Sequence, residues 1–446
     1  MRSALPALIL LALPMEAMFI ALHLLGDLRR EIVEAMVLYV TVSLFYILAS
    51  YLVCRDSETA AKLDSRKTLL VLLGVALVFR LTVWPLAPAL SDDLYRYRWE
   101  GMLQAQGGNP YQARPTDPEW AELRDATYPR IVGKDFKAGY GQLIELIEHG
   151  AYRVISGFTA DPWKQAFWFK APFALFDAAT ILALILWLKV RGQPVRRVLI
   201  YAWSPLGVME FWAGGHNDSV AVCCVVVALL LAEKRHWWST FLALSLAAAA
   251  KIWPLLLFPL FIGWNGRRPL RWKEWLVLLP VAGVLAAPYW SDVMENARFM
   301  SGFVGGWRNN DTIFGLLLWL TGDLYQAKYA AFGLIAAVVL GVTLARLPLE
   351  RAALVTIAAT LFISANSHTW YLAWMLPLLC VVPSAAVFLW TALMPLSYVV
   401  VIDWQLLGEW RGSTWVRWYI YGPVYGMLAV SAWLNRWRAK SGAQSD

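Results

Sequence analysis

Long apolar runs alternate with short polar segments along almost the whole chain. The runs that predict membrane spans cover residues 4–25, 32–54, 68–88, 166–188, 196–212, 218–233, 273–290, 326–345, 350–365, 385–403 and 416–435. Three shorter runs, at 237–250, 252–262 and 370–383, cannot cross about 30 Å of hydrocarbon at about 1.5 Å per residue. Broken helices at membrane depth persist only inside protein or beside a wet cavity. The pattern therefore predicts an all-α, polytopic membrane protein with about 12–14 transmembrane helices.

The composition agrees with a membrane protein and indicates which kinds of partner to expect. Hydrophobic residues make up 59% of the 446-residue chain and charged residues 16%, whereas soluble domains carry about 25% charged residues. The net charge is +8, but lysines and arginines punctuate the apolar runs and form no basic stripe. Membrane lipids, and not nucleic acid, are therefore the expected partners. The four cysteines show no CxxC spacing, which predicts neither a disulfide framework nor a zinc site.

The distribution of basic residues predicts the orientation in the membrane. Cytoplasmic connections carry an excess of lysine and arginine, and counting the short runs as spans places about half of the 39 basic residues on one side. That count requires two half-length segments between 237 and 262, meeting at Lys251. The segments then assigned to the extracytoplasmic side, besides Lys251, are 89–165, 213–217, 291–325, 366–369 and 404–414.

The chain is expected to form one domain. Residues 1–438 would make a single integral membrane domain that begins with a retained helix at 4–25, and residues 439–446 would form a short cytoplasmic tail. We expect a multi-pass protein of a cell inner (plasma) membrane of prokaryotic type, with its functional site on the extracytoplasmic side.

The segment 89–165 is too long for a simple connection. Its apolar residues Tyr95, Trp99 and Met102 recur at helical spacing, which predicts an amphipathic helix on the membrane surface that ends at Gly107 and Gly108. The stretch from Gln142 onward predicts a second such helix.

Two adjacent acids, Asp92 and Asp93, follow directly after the apolar run 68–88. Two adjacent carboxylates repel each other, so a protein that keeps them side by side is expected to use them. They are therefore candidate catalytic groups. The alternative, that acids merely mark a loop leaving the bilayer, stays open.

Two polar positions interrupt the middle of the chain. His216, Asn217 and Asp218 form a turn before an apolar run, where a helix N-terminus favours anions and Asn217 suits the N-cap. Lys251 lies in an apolar stretch with no acid nearby in sequence, so it either snorkels to the surface or binds an anion.

Further polar residues occur near residues 308 and 368. His368, Trp370 and Tyr371 form a turn between apolar runs, and Arg308 begins an Arg-Asn-Asn-Asp segment suited to sugar or phosphate. An interfacial aromatic belt and a solvated loop are the simpler alternatives. The charges expected to form structural pairs at membrane depth are Arg80, Lys170, Asp177 and Glu210.

An acid, a lysine and histidines on one membrane face favour a negatively charged, lipid-borne substrate. A carboxylate can act as general base on an alcohol while Lys251 and a histidine hold a departing phosphate. These residues predict phosphoryl-linked group transfer. A transporter or lipid flippase is the rival class, but it predicts polar residues on both faces and repeat symmetry, and neither is visible.

Several motifs occur in an order that resembles one enzyme superfamily. They are Ser91-Asp92-Asp93-Leu94-Tyr95-Arg96-Tyr97-Arg98-Trp99-Glu100-Gly101, Gly108-Asn109-Pro110-Tyr111, Ser204-Pro205-Leu206 with Glu210-Phe211, Gly215-His216-Asn217-Asp218, Ala250-Lys251, His368-Thr369-Trp370-Tyr371 and Leu376-Pro377. Together they resemble the GT-C superfamily of integral membrane glycosyltransferases, most closely its polyprenyl-phosphate-mannose-dependent mannosyltransferases.

The resemblance implies transfer of a hexose, mannose in the first place, from a polyprenyl-phosphate donor to a lipid or glycan acceptor, with inversion. A pentose or glucose is the alternative sugar. The first acid of the family motif matches Asp92, the expected general base, with Asp93 as the alternative. The positions expected to bind substrate are Arg96, Tyr140, His216, Asn217, Asp218, Lys251, Arg308, His368, Trp370 and Tyr371.

One departure from the family pattern concerns part of the substrate pocket. Many relatives have a Tyr-Pro-Pro segment where this chain has Gly139-Tyr140-Gly141-Gln142. Adjacent acids could bind a divalent ion, but the resemblance favours a metal-independent enzyme without a cofactor.

Overall fold

Helices make up nearly all of the regular structure. The computed structural model describes residues 4–55, 57–261, 308–408 and 414–442, with the single positions 276 and 283. Within these ranges the only strand-type pairing is one isolated bridge between Asn309 and Asn366. The predicted all-α class is confirmed.

The helices are numbered in chain order within the described ranges. They are α1 Leu5–Leu24, α2 Ile32–Cys54, α3 Glu58–Ala61, α4 Arg66–Val83, α5 Asp93–Ala105, α6 Gln142–Ser156, α7 Pro162–Trp168, α8 Ala171–Val190, α9 Leu199–Ala202, α10 Pro205–Gly207, α11 Asp218–Glu233, α12 Trp237–Ala250, α13 Ile313–Thr321, α14 Leu324–Leu344, α15 Leu349–Ile363, α16 Leu376–Leu379, α17 Ala385–Leu393, α18 Val400–Leu407 and α19 Thr414–Gly442. Short 3-10 segments cover Lys62–Asp64, Pro118–Leu123, Tyr128–Arg130, Val195–Val198, Trp253–Phe261, Thr369–Trp374 and Met394–Val399, and a π-helical turn covers Val208–Ala213.

Five helical stretches of the described chain are long and apolar enough to cross a membrane. They are Leu5–Leu24, Ile32–Cys54, Pro162–Val190, Leu324–Leu344 and Ala385–Leu407. Each overlaps an apolar run of the sequence, so the chain is a polytopic membrane protein. The total of about 12–14 spans stays a prediction, because the run 273–290 lies almost wholly outside the described residues and other runs fold as shorter helices.

The short apolar runs fold as broken helices, as the sequence predicted. Helix α12 ends at Ala250, the backbone at Lys251 is extended with φ −141° and ψ 151°, and a 3-10 segment starts at Trp253. The run 196–212 is likewise divided into short pieces that end in the π-helical turn. Such turns are rare and frequently occur at functional sites.

The helices enclose buried charges that are paired. Helix α1 packs on α2 and α4, and α11 packs on α8 and α12. Between them, Arg80 Nε lies 2.8 Å from Asp177 Oδ2, and Lys170 Nζ donates a hydrogen bond of 2.8 Å to the Leu86 carbonyl. Arg80 and Asp177 form the expected structural pair, whereas Lys170 is held by backbone carbonyls and by no acid that the structure describes.

The long loop contains both predicted helices, α5 and α6, packed closely together. A Cβ at Gly101 would lie 2.4 Å from the Glu148 carbonyl oxygen, so only glycine permits this approach. One expectation needs correction: Leu94–Leu103 are all buried, so α5 lies inside the protein and not on a membrane surface. Its polar residues tolerate burial because they are paired, as in the 2.7 Å contact between Arg98 and Asp125.

Candidate active site

The two adjacent acids face different neighbours at the start of α5. Asp92, the N-cap residue, accepts hydrogen bonds from Arg29 and, at 2.7 Å, from Arg130. Asp93, the first helical residue, places Oδ2 3.8 Å from His216 Nδ1. The Asp93 side chain is 21% exposed and that of Asp92 is 9% exposed. Asp92 is therefore held by two guanidinium groups, whereas Asp93 faces a polar cluster and can be approached.

Burial governs the chemistry of Asp93. It raises the pKa of this carboxyl above the ordinary value of 3.8, although His216 and Lys251 act in the opposite direction. Asp218 and Asp92 raise it further. A carboxylate with a raised pKa is a better general base, because its affinity for a proton is higher.

His216 bridges Asp93 and a second, deeper acid. Its Nε2 atom lies 3.3 Å from Oε2 of Glu210, which the π-helical turn carries. Glu210 also accepts hydrogen bonds from the hydroxyls of Tyr39 and Tyr398, at 3.0 and 2.8 Å. We infer from these neighbours that Nε2 carries a proton, which orients the imidazole with Nδ1 toward Asp93.

A glycine fixes the backbone that positions His216. Gly215 has φ +70°, and a Cβ there would lie 2.8 Å from Cγ of Lys170. Both the left-handed conformation and the lack of space exclude other residues. The turn can therefore bring His216 against α5 only because position 215 is glycine.

Lys251 lies in the break after α12 and is paired. Its Nζ atom is 3.3 Å from Asp218 Oδ2 and 4.5 Å from the centre of the Tyr140 ring. Asp218 also accepts a 2.7 Å hydrogen bond from the Trp374 indole. A Cβ at Gly141 would lie 2.0 Å from the Ala249 carbonyl oxygen, so this glycine lets α6 begin against the end of α12. The lysine neither snorkels nor stands alone, and its charge lies beside Tyr140.

Aromatic rings connect the two histidines. Trp370 stacks on His216, with ring centres 4.1 Å apart, and on His368, with centres 4.4 Å apart. His368 Nδ1 lies 2.9 Å from the Asn309 amide nitrogen. Burial, reinforced by His216 and Lys251, lowers the pKa of His368 to about 3, so this imidazole is neutral. It can offer hydrogen bonds to a substrate but not a positive charge.

Comparison with protein-family models now decides the class. The model described as alpha-(1->6)-mannopyranosyltransferase, N-terminal domain, matches residues 4–266, well over half of the chain. The chain belongs to this family. The predicted GT-C resemblance and the enzyme class are thereby confirmed, and the transporter reading is set aside. Searches of curated proteins and of solved structures found no match.

This mannosyltransferase brings most of the predicted site residues together. The cluster contains Asp93, Tyr140, His216, Asp218, Lys251, His368, Trp370 and Tyr371. The family match includes its first five members, and His368 to Tyr371 lie beyond it.

Three predicted residues have other neighbours. Arg96 lies 2.7 Å from Glu100 and donates to the carbonyls of Gly133 and Phe136. Arg308 lies 2.7 Å from Asp311. The fully buried Asn217 lies beside Glu148. Arg96 therefore ties the loop to α5, and neither arginine directs its charge at Asp93.

The sequence reasoning did not assign a site role to Glu210. It treated this acid as part of a structural pair, although Glu210-Phe211 was among the motifs that carry the family resemblance. Tyr39 and Tyr398, its hydrogen-bond partners, are distant in sequence and aromatic like many lipid-facing residues. Only the three-dimensional contacts connect them to His216.

Proposed function

We propose that this mannosyltransferase transfers mannose from a polyprenyl-phosphate donor to a lipid or glycan acceptor on the extracytoplasmic face of the cell inner (plasma) membrane. The family supports the mannosyl group. The observation that carries the mechanism is the partly exposed, desolvated carboxylate of Asp93, 3.8 Å from His216 and within electrostatic reach of Lys251. A lipid-borne donor fits a cluster built between helices of a membrane protein.

We assign the general base to Asp93 and a positioning role to Asp92. A base needs an accessible oxygen and an elevated proton affinity, and Asp93, with a side chain that is 21% exposed and a raised pKa, offers both. Oδ1 of Asp92 instead accepts three charge-assisted hydrogen bonds from Arg29 and Arg130. Such bonds hold the carboxylate in place and occupy the oxygen that would have to accept the proton.

The proposed reaction is a single displacement. The acceptor hydroxyl loses its proton to Asp93, its oxygen forms a bond to the anomeric carbon, and the bond from that carbon to the phosphate oxygen breaks. The electron pair leaves with polyprenyl phosphate. The α-(1→6) linkage in the family description, carried over to this chain, makes the nucleophile a 6-hydroxyl, and inversion then requires a β-configured donor.

Lys251 and the histidines complete the proposed site. Lys251 would stabilise the charge that develops on the departing phosphate, which is the role a metal ion plays in other transferases. We therefore propose that the transfer step itself needs no metal or cofactor. His216, held by Glu210, would orient the Asp93 carboxylate toward the acceptor hydroxyl. Neutral His368 would donate a hydrogen bond to the sugar or phosphate.

The test is a transfer assay with purified protein in liposomes. Polyprenyl-phosphate mannose, GDP-mannose and polyprenyl-phosphate glucose are supplied separately with an α-mannoside acceptor, and product linkage is read by NMR. We expect transfer from polyprenyl-phosphate mannose alone, with an α-(1→6) product. Transfer from GDP-mannose would contradict the proposed donor, and transfer from the glucosyl lipid would contradict the proposed sugar.

A further inference from the structure

Three buried glutamates lie together where α5 packs on α6. One carboxylate oxygen each from Glu100, Glu145 and Glu148 can be chosen so that all lie within 4.8 Å of one another. All three residues have 0% exposure. Glu100 is one helical turn from Arg96, which it contacts at 2.7 Å.

Several oxygens of this cluster have no hydrogen bond of regular geometry to any residue that the structure describes. They are both oxygens of Glu148 and one each of Glu100 and Glu145, although Glu148 lies close to Glu100. A polar residue from a different element faces the same cluster. Asn217, before α11, is 0% exposed and approaches Glu148, yet within the described part of the chain neither its amide oxygen nor its amide nitrogen has a hydrogen bond of regular geometry. Polar atoms from three elements thus converge on one buried point.

The cluster also carries unbalanced charge. Three carboxylates and the guanidinium of Arg96 leave two negative charges, which equal the charge of one divalent cation. Lys251 influences Glu148 from a distance but contacts Asp218 at 3.3 Å. Burial, and then the neighbouring acids, raise the pKa of Glu145 and of Glu148 well above the ordinary value. Either protons or a cation must relieve this repulsion.

We propose that Glu100, Glu145 and Glu148 bind one hard divalent cation, Ca²⁺ or Mg²⁺, with the Asn217 amide oxygen as a further ligand. Carboxylate and amide oxygens are the ligands that these ions prefer, at about 2.0–2.6 Å. Oxygens on opposite sides of such an ion are then about 4–5 Å apart, which agrees with the 4.8 Å spread of the glutamate oxygens.

The cation has a structural role. Glu100 follows Asp93 by about two helical turns, roughly 10 Å, so the ion lies apart from the reacting groups. It joins α5, which carries Asp93, to α6, which begins against the end of α12 just before Lys251. A bound ion would therefore fix the helices that position Asp93 and Lys251 in the candidate active site.

Metal binding can be measured on the full-length protein in detergent. The protein is stripped with EDTA, dialysed against CaCl₂ or MgCl₂, and examined by elemental analysis and thermal unfolding. We expect about one ion per chain and a melting temperature that rises with the logarithm of the metal concentration. No retained ion and an unchanged melting temperature at millimolar metal would overturn the site and leave the glutamates protonated.

Variants identify the ligands. Glu145→Gln with Glu148→Gln should abolish both the bound ion and the metal-induced shift, and should raise the melting temperature of the metal-free protein because the repulsion is removed. Glu119→Gln, an exposed residue of the same loop, is the matched control and should keep both. If the double variant does not fold, single Glu148→Gln serves, with an expected loss of at least tenfold in metal affinity. Unchanged binding in these variants would overturn the assignment.

Discussion

Asp92 and Asp93 are adjacent in the sequence but belong to two different regions of the molecule. On one side, Arg29 and Arg130 donate three hydrogen bonds to a single oxygen of Asp92. On the other side, Asp93 faces His216 at 3.8 Å, within a buried cluster whose lysine is already paired with Asp218. The charge of Asp92 is balanced by arginines in direct contact, whereas Asp93 has no arginine or lysine of the described residues in direct contact.

This difference is the basis for proposing that Asp92 builds the site and that Asp93 reacts. Charge-assisted hydrogen bonds from two arginines fix the Asp92 carboxylate in place and occupy its Oδ1 atom. At Asp93, burial is the largest influence and raises the pKa of the carboxyl, although His216 lies nearby and acts in the opposite direction. Contacts, and not the order of the two acids in the motif, therefore distinguish their roles.

The largest effect expected from this comparison is on the two acids themselves. Asp93→Asn should lower kcat/KM for mannosyl transfer about a thousandfold, because general-base catalysis contributes about 10²–10⁴. Asp92→Asn, the matched control, should lower it about tenfold or less, since the amide keeps the shape and can still accept hydrogen bonds from the arginines. An equal loss of kcat/KM in the two variants would contradict the different roles proposed for Asp92 and Asp93.

The second prediction concerns Lys251, the positive charge of the polar cluster. Lys251→Met should lower kcat/KM about a hundredfold through loss of leaving-group stabilisation. It should also reduce the free energy of unfolding by about 3 kcal/mol, because buried Asp218 loses its cation. Activity and thermal unfolding are measured beside Lys234→Met, an exposed lysine that should change neither. Full activity in Lys251→Met would argue against any role of this charge.

The smallest effect is expected on the arginine side. Arg130→Gln removes two of the three hydrogen bonds to Asp92 but leaves Arg29 in place. We expect a loss of stability of about 1 kcal/mol, as for partly exposed ion pairs, and a change in kcat/KM below about threefold. A collapse of activity with intact stability would place Arg130 among the reacting groups.

Much of the fold could be predicted from the hydrophobic pattern. Apolar runs located the membrane helices, and the distribution of basic residues predicted the break at Lys251, where α12 ends. The burial of α5 could not be predicted in this way. It depends on partners such as Asp125 and Gln165, which meet Arg98 only after the loop has folded.

The site was predictable as a set of residues but not as a set of roles. Polar residues in apolar surroundings are costly, so the sequence identified His216, Lys251 and His368. It could not separate Asp93 from Asp92, since the separation depends on Arg29, which lies 63 residues from Asp92. The contact between His216 and Glu210 was hidden for a different reason: these residues are close in sequence, but a π-helical turn sets their geometry.

The most direct test of Asp93 as the base is the pH dependence of kcat/KM. The base must be deprotonated, so activity falls as the pH drops through its pKa, and burial places this limb above the ordinary aspartate value of 3.8. His216 lowers the pKa of Asp93, so the variant His216→Gln should move the limb to higher pH, whereas Arg130→Gln should leave it in place. A limb that moves with Arg130→Gln and stays fixed with His216→Gln would contradict the account and assign the base to Asp92.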